Sequence, residues 1–399
     1  MNKSTFFSGQ PIFTQLLKFV SKDTVSRIAQ QHTSDRYSKR FNTYEHLVTM
    51  LYSIFNHCNS LREVTTGMLA SEQRLNHLGI RYHPRRSTIS DANNRRKAEV
   101  FGEIYFSLYK KYASFLSDSR KNSKASKLYI FDATTISLFQ EVLRTSGKNP
   151  SGKRKGGIKV HTLIRSDQDV PCMIRFSAAA ANDSQYLKEV QLPQGSVIVF
   201  DRGYYDFTTL NRFTNDSITW VTRLRKLFTY EVLKQNTVAD DNESIISDEQ
   251  IQLGWRSGIK VTARLVRYRD TVSGEQYEFV SNNLRMKAAT IARLYQKRWQ
   301  IELLFKRMKQ NYPLKYFLGD SENAIKIQIW CSLIADLVLK IVKKGAAAKW
   351  SFSNLAAMVR LHLMTYIDLT GFLKSPEKAL MKIFNRSKQY NNNQLMLIT

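Results

Sequence analysis

Strand-like and helix-like segments follow one another in a definite order between residues 127 and 224. Five segments alternate apolar and polar residues or form short apolar runs, as strands do, and two have helical spacing. In chain order they are the strand candidates Lys127–Phe139, Gly157–Arg165 and Cys172–Ala179, the helix candidate Ser184–Gln191, the strand candidate Ser196–Phe200, the helix candidate Asp206–Thr214 and the strand candidate Ser217–Leu224. The order β-β-β-α-β-α-β predicts an α/β domain, and the run SVIVF at 196–200 suits a central buried strand.

Helical patterns flank this region on both sides. Apolar residues recur at three- and four-residue spacing in Gln15–Gln31 and Thr43–Phe55, and again beyond residue 319, as in Phe352–Thr365. Residues 226–288 contain further strand-like segments, interrupted by the acidic stretch 239–250, which has the composition of a loop. After a polar linker at 121–127, we therefore expect an α/β domain. The predicted domains are a helical domain at 1–122, the α/β domain at 123–318 with a β-rich insertion at about 226–288, and a C-terminal helical domain at 319–399.

The chain carries a large positive charge. Its 61 Lys and Arg residues exceed its 33 Asp and Glu residues, for a formal net charge of +28 spread along the whole sequence. Such a protein usually binds a polyanion, and nucleic acid is the leading candidate. The cysteines Cys58, Cys172 and Cys331 lie far apart, which disfavours a zinc cluster or a disulfide framework and favours core packing in a reducing compartment.

Membrane insertion and export are both disfavoured by the sequence. The N-terminal residues MNKSTFFSGQPIF lack the long apolar region of a signal peptide. The apolar stretch Ile325–Val342 is interrupted by Lys326, Gln328, Asp336 and Lys340, so it predicts a buried amphipathic helix instead of a membrane span.

Two acidic residues each follow a short apolar run. Asp132 follows LYIF and Asp201 follows SVIVF, so their carboxylates converge if the two strands are neighbours. A third acid, Glu302, lies in a helical segment further along. Three oxygen ligands suit Mg²⁺ or Mn²⁺, and two such ions can activate a water or hydroxyl and stabilise the leaving oxygen of a phosphodiester. Without cations, three close carboxylates would repel one another.

The segment IARLYQKRWQIELLFKRMKQ, residues 291–310, surrounds Glu302 with cations. On one continuous helix, at about 100° per residue, Tyr295, Arg298, Glu302 and Lys309 share an arc of roughly 60°. The apolar residues of the segment fall on a separate face and are Leu294, Ile301, Phe305 and Met308. The pattern predicts a helix that buries one side and presents a carboxylate and cations to a phosphate backbone.

The spacing Y-x2-R-x3-E-x6-K in this segment resembles the signature helix of DDE transposases from a large family of bacterial insertion sequences, family four. Asp132 in FDATT and Asp201 in FDRGYYD fill the positions of the first two acids, and Glu302 fills the third. The strand order and the β-rich insertion also resemble the ribonuclease-H-like fold of these enzymes. The resemblance spans roughly residues 127–319. It implies that Asp132, Asp201 and Glu302 are catalytic and bind Mg²⁺ or Mn²⁺, with two ions expected.

The resemblance also implies DNA contacts from the signature helix. Arg298 and Lys309 would bind phosphates near the cleaved end, and Tyr295 would add a hydroxyl contact. Trp299 would stack on a base flipped out of the duplex, although core packing is an equal alternative. For Arg298 the alternative is an ion pair with Glu302 four residues on.

Further DNA-contact candidates lie outside this helix, in two basic segments. The first is SGKRKGGIKVH, with Lys159 as the main candidate, and its alternative is a solvated hairpin tip. The second resembles a helix-turn-helix reader and exposes Arg95 and Arg96, and its alternative is the solvated face of a helical scaffold. The remaining residues of these two segments are Lys153, Arg154, Lys155, His161, Asn93 and Asn94. For His161 a structural or DNA-facing role is favoured over metal binding. Trp220 and Trp255 are weaker candidates for base stacking.

These features favour a DNA transposase. It would bind the terminal inverted repeats of its element, cleave the element ends with metal ions and join the 3′-hydroxyls to target DNA, without a nucleotide cofactor. The resemblance further implies a homodimer in the DNA complex, a hairpin intermediate and a bacterial cytoplasmic, nucleoid-associated location. The alternatives are a ribonuclease-H-like nuclease that does not join strands, a non-catalytic DNA-binding protein and an RNA-binding structural protein.

Overall fold

The computed structural model describes residues 9–117, 127–137, 157–225, 228–238, 244–254, 258–347, 349–378 and 381. The chain forms two compact units. One unit combines two segments of the chain, the part up to Leu116 and the part from Lys306 onward, and the other unit is Ser117–Phe305. The N- and C-terminal helices therefore belong to one unit, which differs from the expected division into three domains. Residues 121–126 of the expected linker, the basic residues 153–155, Trp255 and the C-terminal tail lie outside the described residues.

The unit that contains both chain ends is built of helices in its described residues, and we call it the helical unit. Its helices are α1 (Ile12–Leu17), α2 (Lys22–Gln31), α3 (Thr43–Phe55), α4 (Leu61–Ala70), α5 (Glu72–Leu75), α6 (Arg86–Arg95), α7 (Ala98–Leu116), α12 (Glu322–Gly345), α13 (Phe352–Leu361) and α14 (Leu369–Lys374). The single helix expected at 15–31 is two helices, because Ser21 caps α2 by accepting a hydrogen bond from the Thr24 backbone N–H.

Helix α12 forms the centre of the helical unit. It packs against α3 and α7, and most of its side chains are buried. Gly102 of α7 permits this close approach, since a Cβ there would lie 2.9 Å from the Trp330 ring. The prediction of a buried helix over 325–342 is therefore confirmed. Within the described part of the chain, no helix is both long and apolar enough to cross a membrane.

In its described residues the other unit is built on one nine-stranded sheet, and we call it the sheet unit. Its strands are β1 (Leu128–Ser137), β2 (Gly157–Arg165), β3 (Pro171–Ala178), β4 (Val197–Phe200), β5 (Thr219–Arg223), β6 (Glu231–Gln235), β7 (Ile245–Leu253), β8 (Val261–Arg269) and β9 (Gln276–Ser281). Its helices are α8 (Ser184–Lys188), α9 (Phe207–Asn215) and α10 (Ala288–Gln296), and α11 (Trp299–Asn311) crosses the boundary between the units.

The strand order is β3-β2-β1-β4-β5-β9-β8-β7-β6. The first three strands pair antiparallel, whereas β1–β4 and β4–β5 pair parallel. This arrangement confirms the predicted ribonuclease-H-like α/β fold. The β-rich insertion also forms as expected, and its strands β6 to β9 extend the same sheet beyond β5 through antiparallel pairs.

Both faces of the central strands are covered by apolar clusters. Phe200 of β4 and Trp220 of β5 belong to the cluster that includes residues of α9, whereas their neighbours Val199 and Val221 belong to the cluster that includes residues of α10. Successive residues of a strand point to opposite faces, so a strand buried on both faces is apolar throughout. This explains the uninterrupted run SVIVF.

One expectation for the insertion is wrong, because the acidic stretch at 239–250 is not a loop where it is described. Ile245–Leu253 forms β7. Asp248 and Glu249 on this strand are buried, and they form ion pairs with Arg264 and Arg267 of the neighbouring β8. The charges of Asp248 and Glu249, which the sequence suggests are solvated, are neutralised by cations on the next strand.

Candidate active site

Asp132 and Asp201 lie side by side on neighbouring parallel strands. The last paired residues of β1 and β4 are Phe131 and Phe200, and each Asp is the next residue. The expected convergence of these two acids follows directly from this register. Asp201 directly follows β4, and its Oδ2 accepts a hydrogen bond from the Gly203 backbone N–H at 3.3 Å. Asp132 does not end its strand, because β1 continues to Ser137 by pairing with β2.

The Asp132 carboxylate is strongly shielded from solvent, with 17% of its side chain exposed. Burial is the main cause that raises its pKa to about 6; the nearby Asp201 and Glu302 also raise this pKa, and the Ala133 backbone N–H and Arg298 lower it. The Ala133 N–H donates to Asp132 Oδ1 at 2.8 Å. The site therefore gathers negative charge where water compensates it poorly.

The segment that carries Glu302 is two helices instead of the single helix predicted from the sequence. Helix α10 ends at Gln296 and α11 begins at Trp299. Between them, the Arg298 N–H donates to the Tyr295 carbonyl and the Gln300 N–H donates to the Lys297 carbonyl, both with the three-residue spacing of a 3-10 turn. Since Tyr295 and Glu302 lie on different helices, the common arc calculated for one helix does not apply.

The Arg298 guanidinium connects two of the three acids. Its Nη1 lies 3.2 Å from Asp132 Oδ2 and 2.6 Å from Glu302 Oε1. The expected alternative, a pair between Arg298 and Glu302, is therefore present, and the same nitrogen also binds Asp132. Only 14% of the Arg298 side chain is exposed. In this arrangement the guanidinium contacts carboxylates, not solvent, so a phosphate contact would require it to move.

Tyr295 contacts Asp201. Its hydroxyl donates to Asp201 Oδ1 at 3.2 Å, and its ring packs against Phe279 with centroids 5.0 Å apart. Burial raises the Tyr295 pKa to about 12, so the hydroxyl keeps its proton at neutral pH. The structure gives Tyr295 an internal partner, where the sequence suggested a DNA phosphate.

Two further contacts of this site carry no signal in the sequence. The buried Ser166, just beyond β2, donates its hydroxyl hydrogen bond to Gln300 Oε1 at 2.8 Å and so fixes the start of α11. The Tyr204 ring packs edge-on against Phe131, the residue before Asp132, with centroids 5.0 Å apart. Both residues position the acid-bearing elements. Their partners are distant in sequence, so no local pattern predicts them.

The donor chemistry of the site fits a hard divalent cation. Asp132, Asp201 and Glu302 offer carboxylate oxygens, the ligands that Mg²⁺ and Mn²⁺ prefer. Across the described residues, however, no three His, Cys, Asp or Glu side chains are already grouped so that they could hold one ion. The Arg298 guanidinium supplies positive charge to two of these acids. The sequence predicts that these acids need nearby cations, and Arg298 supplies part of that positive charge.

The two tryptophan candidates Trp299 and Trp220 differ in exposure to solvent. Trp299, at the start of α11, has 62% of its surface exposed, which excludes core packing and leaves its ring free to stack on a ligand. Trp220 is fully buried in β5, and its Nε1 donates to Thr214 Oγ1. Lys309 is exposed on the part of α11 that belongs to the helical unit.

Lys159 and His161 of β2 have internal partners. The Lys159 ammonium donates to Asp183 Oδ1 at 2.6 Å and to the Ala181 carbonyl at 3.2 Å. The His161 ring is fully buried, stacks on Tyr186 and has a pKa lowered to about 4 by burial. The proposed phosphate contact of Lys159 is therefore not supported, because its charge is already neutralised in an ion pair.

Only some of the polar and basic residues that the sequence predicts to be exposed at helix α6 of the helical unit are exposed. Arg95 and Asn94 are exposed, but Arg96 and Asn93 are buried. Arg96 pairs with Asp35 at 3.1 Å, and Asn93 Oδ1 lies 2.8 Å from His46 Nε2. Arg96 is thus a structural residue, and the expectation that it is exposed is wrong, because it is buried with Asp35 as its charge partner.

Comparison with known proteins assigns a family to this arrangement. A family model described as a transposase DDE domain matches residues 123–336, and a second, described as a domain of unknown function (DUF4372), matches residues 8–81. The chain is 28% identical to the protein assigned as transposase y4zB of Sinorhizobium fredii (strain NBRC 101917 / NGR234), across 65% of this chain and 72% of that protein.

Two further relatives belong to named insertion sequences. The protein assigned as the transposase of element IS4SA in Synechocystis sp. (strain ATCC 27184 / PCC 6803 / Kazusa) is 29% identical across 64% of this chain and 71% of its own length. The transposase InsG of element IS4 in Escherichia coli (strain K12) is 26% identical across 44% of this chain and 43% of its own length. The DDE model covers more than half of the chain and includes Asp132, Asp201 and Glu302. The chain belongs to the DDE transposase family, and within it to the type of bacterial insertion-sequence family four.

Proposed function

We propose that this transposase binds the terminal inverted repeats of an insertion sequence, cleaves the element ends by metal-dependent hydrolysis and joins the 3′-hydroxyls to target DNA. The observation that carries the proposal is the cluster of Asp132, Asp201 and Glu302. Two of these acids are adjacent across a parallel strand pair, and the third reaches the first through Arg298. Two adjacent acids and a third that shares the same guanidinium come from separate elements and have no evident structural purpose.

Asp132, Asp201 and Glu302 are the residues that would hold two Mg²⁺ or Mn²⁺ ions. A divalent cation bound there supplies the Lewis acid that phosphodiester attack requires. The raised pKa of Asp132 supports this proposal, because burial of that carboxylate disfavours its charged form in the absence of a nearby cation. Arg298 meets part of this need, and we infer that it yields its position when metal and DNA bind.

The surrounding residues have roles in orientation and DNA contact. Tyr295 holds Asp201 through its hydroxyl, which fixes the direction of the carboxylate. Trp299 offers an exposed ring beside the site for stacking on a base. Once it leaves the acids, Arg298 would bind a phosphate near the cleaved end, and the exposed Lys309 would bind a second phosphate.

Other parts of the proposal follow from the family alone. As in transposases of this type, we propose a homodimer in the complex with DNA and a hairpin intermediate on the element end. We also place the protein in the bacterial cytoplasm, associated with the nucleoid.

Arg298→Ala should bind Mn²⁺ more tightly in the absence of DNA. The guanidinium competes with metal for Asp132 and Glu302, and charge-assisted hydrogen bonds of this kind contribute about 1.5–3 kcal/mol, so we expect at least a roughly tenfold lower dissociation constant. The measurement is a Mn²⁺ titration of the free protein by calorimetry or electron paramagnetic resonance. Arg293→Ala is the matched control, since it removes an exposed arginine of the same unit. Equal affinity in all three proteins would show that Arg298 does not compete with metal.

The test of the proposed function uses labelled DNA that carries the element's own ends, with Mg²⁺ or Mn²⁺ and a target plasmid. Cleavage at the element boundary followed by joining to the target is the expected result. Cleavage of ends or branched DNA without joining would favour a nuclease of similar fold. Specific binding without any cleavage would favour a non-catalytic DNA-binding protein.

A further inference from the structure

A basic groove lies in the helical unit, between the segment 37–41, the segment 82–85 and helix α6. It encloses about 640 Å³. Four exposed cations line it, and one exposed carboxylate, Asp91, opposes them. The cations are Lys39, Arg40, Arg85 and Arg95. Within the described parts of the chain, no acidic side chain is placed to form an ion pair with any of the four. Like charges gathered without counter-ions favour binding of an anion.

The wall of this groove is held rigidly by the buried Arg96. Its Nη2 donates to Asp35 Oδ1, to Ser38 Oγ and to the Phe41 carbonyl, so one guanidinium fixes both ends of the segment 35–41. Asp35 also accepts from the Thr43 N–H and hydroxyl at 2.7 and 2.8 Å. The exposed cations Lys39 and Arg40 therefore project from a preorganised segment.

Tyr37 stands at the edge of the groove with 81% of its surface exposed. Its φ of 62° lies in the left-handed region, which a bulky residue rarely adopts and which costs on the order of 1 kcal/mol or more. The Arg36 guanidinium lies 4.9 Å from the ring centroid. The backbone is thus strained in a way that presents an aromatic ring to solvent beside a row of cations.

We propose that this groove binds the sugar–phosphate backbone of duplex DNA. The proposal rests on the proposed function. It assigns a DNA contact to the segment 37–41, which lies in the part of the chain that matches a domain of unknown function, and to the residues 82–95 that follow this part. Arginine-rich lining favours phosphate, because guanidinium groups bind phosphate oxygens in pairs. Tyr37 packs beside the backbone, where an exposed aromatic with a hydroxyl can contact both sugar and phosphate.

The test compares two double variants that remove the same charge. Lys39→Ala/Arg40→Ala removes two groove cations, and Lys110→Ala/Lys111→Ala removes two exposed lysines of α7 in the same unit, outside the groove. The affinity of each for element-end DNA is measured between 50 and 200 mM salt. Loss of two phosphate contacts should reduce the slope of log affinity against log salt by about 2 per protomer, and the lysine control should leave it near the wild-type value. Thermal melting of each variant checks folding.

The outcomes distinguish failure of this proposal from failure of the proposed function. If the wild-type protein binds element ends and both double variants have equal slopes, the groove does not contact DNA. If the wild-type protein binds no DNA under any condition, the proposed function fails and this proposal fails with it. If the groove variant loses affinity for duplex RNA of equal length but not for DNA, the groove binds nucleic acid of another kind, which also overturns the proposal.

Discussion

Glu302→Gln is expected to slow metal-dependent cleavage of element-end DNA by at least about 10³-fold. Metal coordination contributes several kcal/mol to the transition state of phosphodiester hydrolysis, and each ~1.4 kcal/mol corresponds to a tenfold change in rate. The amide keeps the volume of the side chain and an oxygen that still accepts from Arg298, so the helix remains in place. The loss would therefore measure the missing charge of the ligand and not a rearrangement.

Asp132→Asn and Asp201→Asn should show losses of similar size in the same single-turnover assay. Asp216→Asn is the control, because it removes an exposed carboxylate from the same unit without touching the site. The melting temperature of the three site variants should not fall below that of the wild-type protein, since neutralising one acid reduces repulsion among them. A site variant that retains wild-type cleavage would exclude that residue from catalysis.

Asp336→Ala is expected to destabilise the helical unit by about 3–5 kcal/mol. Asp336 is buried on α12 and accepts two hydrogen bonds of 3.0 Å from Arg307 and one of 3.3 Å from the Tyr312 hydroxyl. Removing the carboxylate takes two charge-assisted hydrogen bonds from the Arg307 guanidinium, which is itself largely buried. Thermal and urea unfolding of the variant measure the effect.

Two further variants test whether loss of the Asp336 charge beside Arg307 causes the loss of stability in Asp336→Ala. Glu322→Ala breaks an exposed pair with Lys326 on the same helix and should cost less than about 1 kcal/mol. Arg307→Met/Asp336→Leu replaces both charges with apolar groups and should recover most of the lost stability. A double variant as unstable as Asp336→Ala would contradict this explanation, because the loss of the Asp336 charge beside Arg307 would then not be the cause.

The central part of the sheet and the adjacency of two acids could be predicted from the sequence. The runs that precede Asp132 and Asp201 are apolar because their strands are buried on both faces, and burial on both faces occurs at the centre of a sheet. Once both strands are central and parallel, the residues that follow them are neighbours. For these two acids, the local apolar pattern was therefore enough to predict their position in the fold.

Other features depend on partners that are distant in sequence. Asp248 and Glu249 look like loop residues until Arg264 and Arg267 are placed opposite them. Arg96 and Lys159 look like surface cations until Asp35 and Asp183 are found beside them. In each case the charged residue is tolerated away from the surface because an ion pair neutralises it, and the partner cannot be identified from the local sequence.

The break between α10 and α11 could not be predicted for a different reason. No Gly or Pro occurs in residues 291–310, and apolar spacing continues across the turn at Lys297 and Arg298. A short turn with three-residue hydrogen-bond spacing interrupts the helix without changing the composition of the segment. Arg298 lies in this turn, and its guanidinium contacts both Asp132 and Glu302.

The most direct test of the account is the single-turnover cleavage rate of Asp132→Asn/Glu302→Gln beside the two single variants. If Asp132 and Glu302 belong to one catalytic centre, either substitution disables it, and the double variant should be no slower than the slower single variant within a few-fold. Rate losses that multiply in the double variant would mean that the two acids act independently. That result would contradict the claim that Asp132, Asp201 and Glu302 form one metal-dependent site.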